Sequence, residues 1–201
     1  ESLFRGIKQR FPMVHLHCLS ASEIIGIAEF SNLSLEETIR RLMDAGLQSI
    51  PGGGAEILDD EVRSKVARLK CTTQDWLDVH RTAHKLGMKT TATMMFGVGE
   101  TEEHRVNHFQ RIYDLQEETG GFTAFIPWTF QPKNTALGGR GWPESTAVEY
   151  LKTLAISRIF LTNFPNVQAS WVTQGLKVCQ MGLRFGGNDV GSVMLEENVV
   201  K

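Results

Sequence analysis

The chain has 201 residues, 41% of them hydrophobic and 22% charged, which is enough for one domain with a real core. A net charge of −2 without a basic run argues against a nucleic-acid partner, and no apolar run reaches the ~18 residues of a membrane span. Cys18, Cys71 and Cys179 lie far apart with no Cys-x-x-Cys pair. Together with the lack of a signal-like opening, this points to a cytoplasmic setting, to cysteines that act as small buried hydrophobes, and to no thiolate metal site.

Taken in order, the chain alternates between strand and helix patterns. Leu3, Phe4 and Ile7 have helical spacing without a cap before them, so the chain opens as if inside something longer. Val14 to Leu19 alternates as a strand does. Ser20-x-x-Glu23 and Ser34-x-x-Glu37 are capping boxes for two helices, the second stopped by Gly46. A strand is predicted over Leu47–Ile50, then the turn Pro51-Gly52-Gly53-Gly54-Ala55-Glu56, then a charged helix from Asp59 to Arg68. Thr72-x-x-Asp75 opens the next helix, stopped by Gly87. Lys89–Phe96 reads as a buried strand with Met94 and Met95 in the core, and ends in Gly97-Val98-Gly99-Glu100. A long helix, a strand over Phe122–Ile126, a loop from Pro127 to Pro143 and a helix over Glu144–Leu161 follow. Asn166–Ser170 is a short strand, Trp171–Leu183 a helix, and Arg184–Val190 leads into a last short strand or turn. This is the pattern of about six parallel βα units, against the eight of a closed barrel.

In such an architecture chemistry collects where strands end. The polar residues at those ends are His15, His17 and Ser20; Glu56; Thr93 and Glu100; Trp128, Gln131 and Asn134; Gln168 and Ser170; and Asn188 and Asp189. Three glycines in a row leave amides bare and let a ligand approach the main chain, though a tight strand-to-helix turn has the same composition. His15-x-His17 puts two imidazoles on one face of a strand, for a metal, for a substrate hydrogen bond or as a satisfied interior pair. Gly97-x-Gly99 lacks the third glycine or lysine of a phosphate loop. Asn188-Asp189 after Gly186-Gly187 is either a plain turn or a site at the final strand end.

Several blocks together resemble the dehypoxanthine futalosine cyclase family of radical S-adenosylmethionine (SAM) enzymes. They are Pro51-Gly-Gly-Gly-Ala-Glu-Ile-Leu58, Thr90-Thr-Ala-Thr-Met-Met-Phe-Gly97, Gly120-Gly-Phe-Thr-Ala-Phe-Ile-Pro-Trp128 with Phe130-Gln-Pro132, Gln168-Ala-Ser-Trp-Val-Thr-Gln174 and Gly187 to Val200. The family's Cys-x3-Cys-x2-Cys motif is absent, and His17-Cys-Leu-Ser-Ala-Ser-Glu23 departs from the expected His-Ala-Phe-Ser-Pro-Pro-Glu. The resemblance therefore implies a partial parallel (β/α) TIM-type barrel with its first units missing. Residues 1–201 would be one domain, the C-terminal portion of that barrel. The [4Fe–4S] cluster would be held by ligands outside this chain, and the chain alone would be inactive.

The same resemblance implies a reaction and roles. A 5′-deoxyadenosyl radical takes the ribose 4′ hydrogen of dehypoxanthine futalosine, the carbon radical adds to the substrate's aromatic ring, and loss of an electron and a proton closes the cycle. Glu56, Gly53, Gly54, Arg63, Thr93, Gly97, Gly99 and Glu100 would hold SAM. Asp189, Asn188 and His17 would act on the substrate, with His15, Trp128, Gln131 and Ser170 binding it. Partners would be the small-molecule substrate and an electron donor such as flavodoxin or ferredoxin, with no nucleic acid and no membrane. Rival readings are a related synthase (aminofutalosine synthase or a deazaflavin synthase half), a phosphate-binding barrel using Gly52–Gly54, or a catalytically incomplete barrel.

Overall fold

The computed structural model describes residues 1–191 and 193–195; the resemblance block from Gly187 to Val200 lies partly outside them. Three strands form one parallel sheet in chain order: β1 (Ser49–Ile50), β2 (Lys89–Phe96) and β3 (Phe122–Thr129). Parallel bridges extend it at both edges, His17 to Ser49 on one side, then Phe125 to Val167 and Gln168 to Asp189 on the other. Six extended segments thus stand side by side in the order of the sequence, as the alternating pattern requires.

The helices are α1 (Ser2–Arg10), α2 (Ala21–Ser31), α3 (Leu35–Asp44), α4 (Asp60–Val66), α5 (Thr73–Lys85), α6 (Glu102–Thr119), α7 (Ala147–Phe160) and α8 (Trp171–Gly182). Capping fixes several starts. The reciprocal boxes at Ser20/Glu23 and Thr72/Asp75 both form, and Ser34 accepts from the Glu37 amide. α7 begins three residues later than Glu144, because Thr146 is the residue whose side chain caps it. β3 runs past Ile126 to Thr129. Pro127 is tolerated there because the next segment bridges β3 at Phe125 and not beyond it.

Alternation sorts the strands into two faces. Ala92, Met94 and Phe96 on β2, with Phe125 on β3, are fully buried under the helices, against Trp76, Val79, Phe109, Ile112 and Tyr150. Trp76, Phe122 and Phe164 stack in series, with ring centroids 6.0 and 5.4 Å apart. The opposite face carries Ser49, Thr91, Thr93, Met95, Ile126 and Trp128, paired across strands as Thr93 to Ile126 and Met95 to Trp128. His17 lies opposite Ser49 on that inner face, and Gln168 and Asp189 continue it at the far edge. Because all strands run the same way, the turns after β1, β2 and β3 and the start of α8 leave from one edge of the sheet. Of the cysteines only Cys179 is buried; Cys18 and Cys71 are half-buried, since each sits in a connecting loop at the margin of the core.

Candidate functional site

The Gly-rich turn is the most constrained stretch of that edge. Gly52 N–H donates to Thr91 Oγ1 at 2.9 Å, and Thr93 Oγ1 donates to the Gly52 carbonyl at 2.6 Å. The two threonines can do this because they are two apart on β2 and so face the same way. A Cβ on Gly52 would lie 2.6 Å from both Ala92 Cα and the Thr91 carbonyl oxygen, so only glycine fits. Trp76 Nε1 donates to the Gly53 carbonyl at 3.4 Å, and the Met95 amide to the Glu56 carbonyl at 2.9 Å. Leu58 is pinned by α6, its N–H donating to His108 Nδ1 at 2.9 Å and its carbonyl accepting from Arg111. Since Nδ1 accepts, His108 is the neutral tautomer with its proton on Nε2. Complete burial, then the charges of Arg63 and Arg111, push its pKa down to about 3.

While the carbonyls of this turn are held, the amides of Gly53, Gly54, Ala55, Glu56 and Ile57 donate to no acceptor among the described residues. Gly54 and Glu56 have φ of +78° and +43°, the alternation that turns successive N–H groups toward one side. A row of preset donors beside the polar inner face fits a ligand with carboxylate or heterocyclic acceptors, and so fits SAM. Glu56 is buried and forms an ion pair with Lys70, which holds its carboxylate in place.

The structure corrects two of the SAM-binding assignments. Arg63 is 3% exposed, and its donors go to the carbonyls of Cys71, Gly54 and Ala55 and to Cys71 Sγ. All five N–H groups are engaged, so Arg63 braces the turn and leaves nothing for a ligand carboxylate. Glu100 folds back into its own loop. Its side chain is 1% exposed and accepts from Gly97 N at 2.8 Å, Val98 N at 2.7 Å and Arg105 Nε at 2.8 Å. The anion pocket made by the Gly97 and Gly99 turn, at φ of +87° and +83°, is thus filled from within. Arg105 ties the loop to α7 through Glu149 at 2.7 Å and lies 4.6 Å over the Phe96 ring. Glu100→Gln is expected to cost about 2 kcal/mol of stability, the worth of hydrogen bonds to a charged acceptor. A shift in urea midpoint too small to resolve would show that the charge does not hold this loop.

The loop after β3 lies over the same turn. A Cβ on Gly97 would sit 2.5 Å from Ser145 Oγ, and one on Gly99 2.8 Å from Trp142 Nε1. Gln131 donates to the Thr129 carbonyl and hydroxyl, and Gln174, not singled out by its sequence position, reaches the same hydroxyl at 2.7 Å. Ser170 caps the start of α8. Its amide donates to Tyr150 Oη at 2.7 Å, and its hydroxyl pairs with Thr173.

At the two edges the substrate-side residues divide. His15 and His17 both bond Ser49, whose position was missed because a lone serine at the start of a two-residue strand has no pattern of its own. Asp189 is on the inner face, half-buried, with Oδ1 accepting from Gly191 N at 2.8 Å. Asn188 is a correction. As the neighbour of an inward residue it points the other way, where it binds Arg158, the Val167 amide and the Pro165 carbonyl. It ties strand starts together and does not share the inner face with Asp189. Among the described residues no three His, Cys, Asp or Glu side chains gather to hold a metal ion, and the three thiols are free and apart. The described residues therefore do not fit an iron–sulfur cluster. No described helix is long and apolar enough to cross a membrane.

Comparison with known proteins matches residues 3–112 to the family described as the radical SAM superfamily, and residues 119–201 to the CofH/MqnC C-terminal region. A cyclic dehypoxanthine futalosine synthase of Halalkalibacterium halodurans is 52% identical over 98% of this chain and 53% of its own length. One of Streptomyces coelicolor is 47% identical over 100% of the chain and 50% of its own length. An aminodeoxyfutalosine synthase of Thermus thermophilus is 42% identical over 98% of the chain and 54% of its own length. The chain thus spans about half the length of the curated relatives it matches. Among solved structures, a methylornithine synthase has the same fold, with a TM-score of 0.72 at 16% identity, covering 100% of this chain and 53% of its own.

Proposed function

We propose that this chain, which belongs to the radical SAM superfamily, works in a cyclase that converts dehypoxanthine futalosine to its cyclic form in menaquinone biosynthesis. The observation that carries this is the order of identity. Two cyclic dehypoxanthine futalosine synthases stand at 52% and 47%, against 42% for an aminodeoxyfutalosine synthase over the same stretch. Residues 1–201 then form one domain, the C-terminal portion of the barrel, and the cluster is held by residues other than those described.

SAM, when bound, supplies a carbon radical that removes hydrogen from the substrate. The chain's own residues provide the setting. The amides of Gly53 to Ile57 would receive SAM's acceptors, Glu56 would receive its ribose hydroxyls or ammonium, and Thr93 and Arg63 keep the turn from relaxing. His17 and Asp189 face the inner side and provide candidates for the base that ring closure requires. Trp128 and Ile126 offer apolar surface to the substrate's aromatic ring. An electron donor such as flavodoxin or ferredoxin would serve the assembled enzyme.

The test is a chimera in which this chain replaces its matching half of the Halalkalibacterium halodurans protein. Reduced anaerobically with SAM and dehypoxanthine futalosine, it is expected to yield 5′-deoxyadenosine and cyclic product. Formation of aminodeoxyfutalosine from its own precursors instead would overturn the reading. In that chimera Glu56→Gln keeps shape and removes charge, and is expected to weaken SAM binding about ten- to a hundredfold. Equal SAM affinity in calorimetry would remove Glu56 from the site.

A further inference from the structure

Two imidazoles share one hydroxyl on the inner face. His17 Nδ1 is 2.6 Å from Ser49 Oγ, and His15 Nε2 is 2.8 Å from the same oxygen. Residues two apart in an extended segment face one way, and the parallel bridge sets Ser49 opposite His17. A serine hydroxyl has one proton to donate and lone pairs to accept with. It can therefore accept from one ring and donate to the other, but it cannot donate to both. A proton gained on one side of Ser49 is matched by a proton lost on the other.

The outer nitrogens, Nε2 of His17 and Nδ1 of His15, have no hydrogen-bond partner among the described residues. The charged groups on neighbouring elements are engaged elsewhere. Glu23 of α2 is bound to Ser20, and Lys8 of α1 to the Pro12 and Val14 carbonyls and to Gln48. Burial, then the neighbouring His15, hold His17 below its ordinary pKa, so near neutral pH it is an unprotonated acceptor.

We infer that His17, Ser49 and His15 form a proton relay, with Ser49 as a positioning residue no sequence motif marks. The inference rests on the cyclase reading for its substrate. In ring closure the C–H bond at the new junction breaks with its electron pair left on the ring, the proton goes to His17 Nε2, and the one surplus electron of the resulting radical anion leaves to a one-electron acceptor of the iron–sulfur class, restoring the aromatic ring. His17 Nδ1–H passes its proton to Ser49 Oγ, Ser49 O–H passes its own to His15 Nε2, and His15 Nδ1–H releases one to water. One proton enters and one leaves.

The experiment has two arms. In the 201-residue chain, imidazole 15N shifts are followed from about pH 5 to about pH 8. His15 and His17 are expected to titrate as a coupled pair, Ser49→Ala to make the two titrations independent, and Ser49→Thr to keep the coupling. In the chimera, Ser49→Ala is expected to slow cyclic product formation about tenfold or more at unchanged KM. Deuterium transfer from 4′-labelled substrate into 5′-deoxyadenosine should stay normal, and Ser49→Thr should restore the rate. Independent titration in the unsubstituted chain overturns the relay, and so does ring closure at the full rate in Ser49→Ala. A chimera that never closes the ring sinks the cyclase reading, and the titration arm then decides by itself whether the two imidazoles are linked through Ser49.

Discussion

Acidification from pH 7 to 5 is expected to remove at least about 4 kcal/mol from the stability of this fold. The source is three imidazoles packed away from water. His80 and His108 are 0% exposed and His84 is 9%. Burial comes first among the causes for each, with His84 beside His80, Lys89 beside His84 and two arginines near His108 adding to it. His84 falls to about 4, His108 to about 3, and His80 well below its ordinary value. All three shifts are downward, so the folded state prefers the neutral rings. Their contribution is fully present above the unfolded pKa of about 6.5 and drains away as pH falls toward the folded values, at about 1.4 kcal/mol per unit and group. By pH 5 His84 and His108 have each lost about 2 kcal/mol, and His80 loses stability in the same direction. Total stabilities run about 5–15 kcal/mol, so the chain should be close to unfolding there. The carboxylates titrate lower and do not mask the effect. Denaturant midpoints at pH 7, 6 and 5 measure it, and a loss below about 1 kcal/mol between the ends would contradict neutral burial of these rings.

Arg63→Ala is the single substitution expected to cost most, about 3–6 kcal/mol. It strips the Gly54, Ala55 and Cys71 carbonyls of their donor inside a packed region, at about 1–2 kcal/mol for each group left bare. Arg63→Lys should recover less than half of the loss, because a compact ammonium cannot span three carbonyls that a planar fork reaches together. The turn would loosen with it, so in the chimera both variants should bind SAM more weakly than their retained folded fraction explains. Urea unfolding of the chain reads the first effect. A loss under about 1 kcal/mol for Arg63→Ala would mean that the turn keeps its shape without the brace.

The contrast between Arg63 and Glu56 shows where reading residues in order reaches its end. Both are charged residues close to the same glycine run, and by position both suit a polar ligand. Nothing in their spacing tells that one turns inward to the backbone while the other is held at the edge by Lys70, fourteen residues on. Glu100 makes the same point. A carboxylate after Gly-x-Gly suggests a ligand contact, yet the loop curls far enough for it to satisfy its own amides.

What the amino-acid order determined by itself was local and periodic. The helix caps at Ser20, Thr72 and Ser34, the apolar faces of α3 and α5 and the buried run of β2 required no distant partner, and together they implied parallel βα units in chain order. The family blocks, being continuous, were legible in the same way. What only the tertiary structure decided was every contact between strands. The shared hydroxyl of Ser49, the outward turn of Asn188, the threonine pair on Gly52 and the engaged donors of Arg63 depend on register and on which face a residue takes. A one-residue slip in a strand would reverse each of them, and register is set by the packing of the whole sheet.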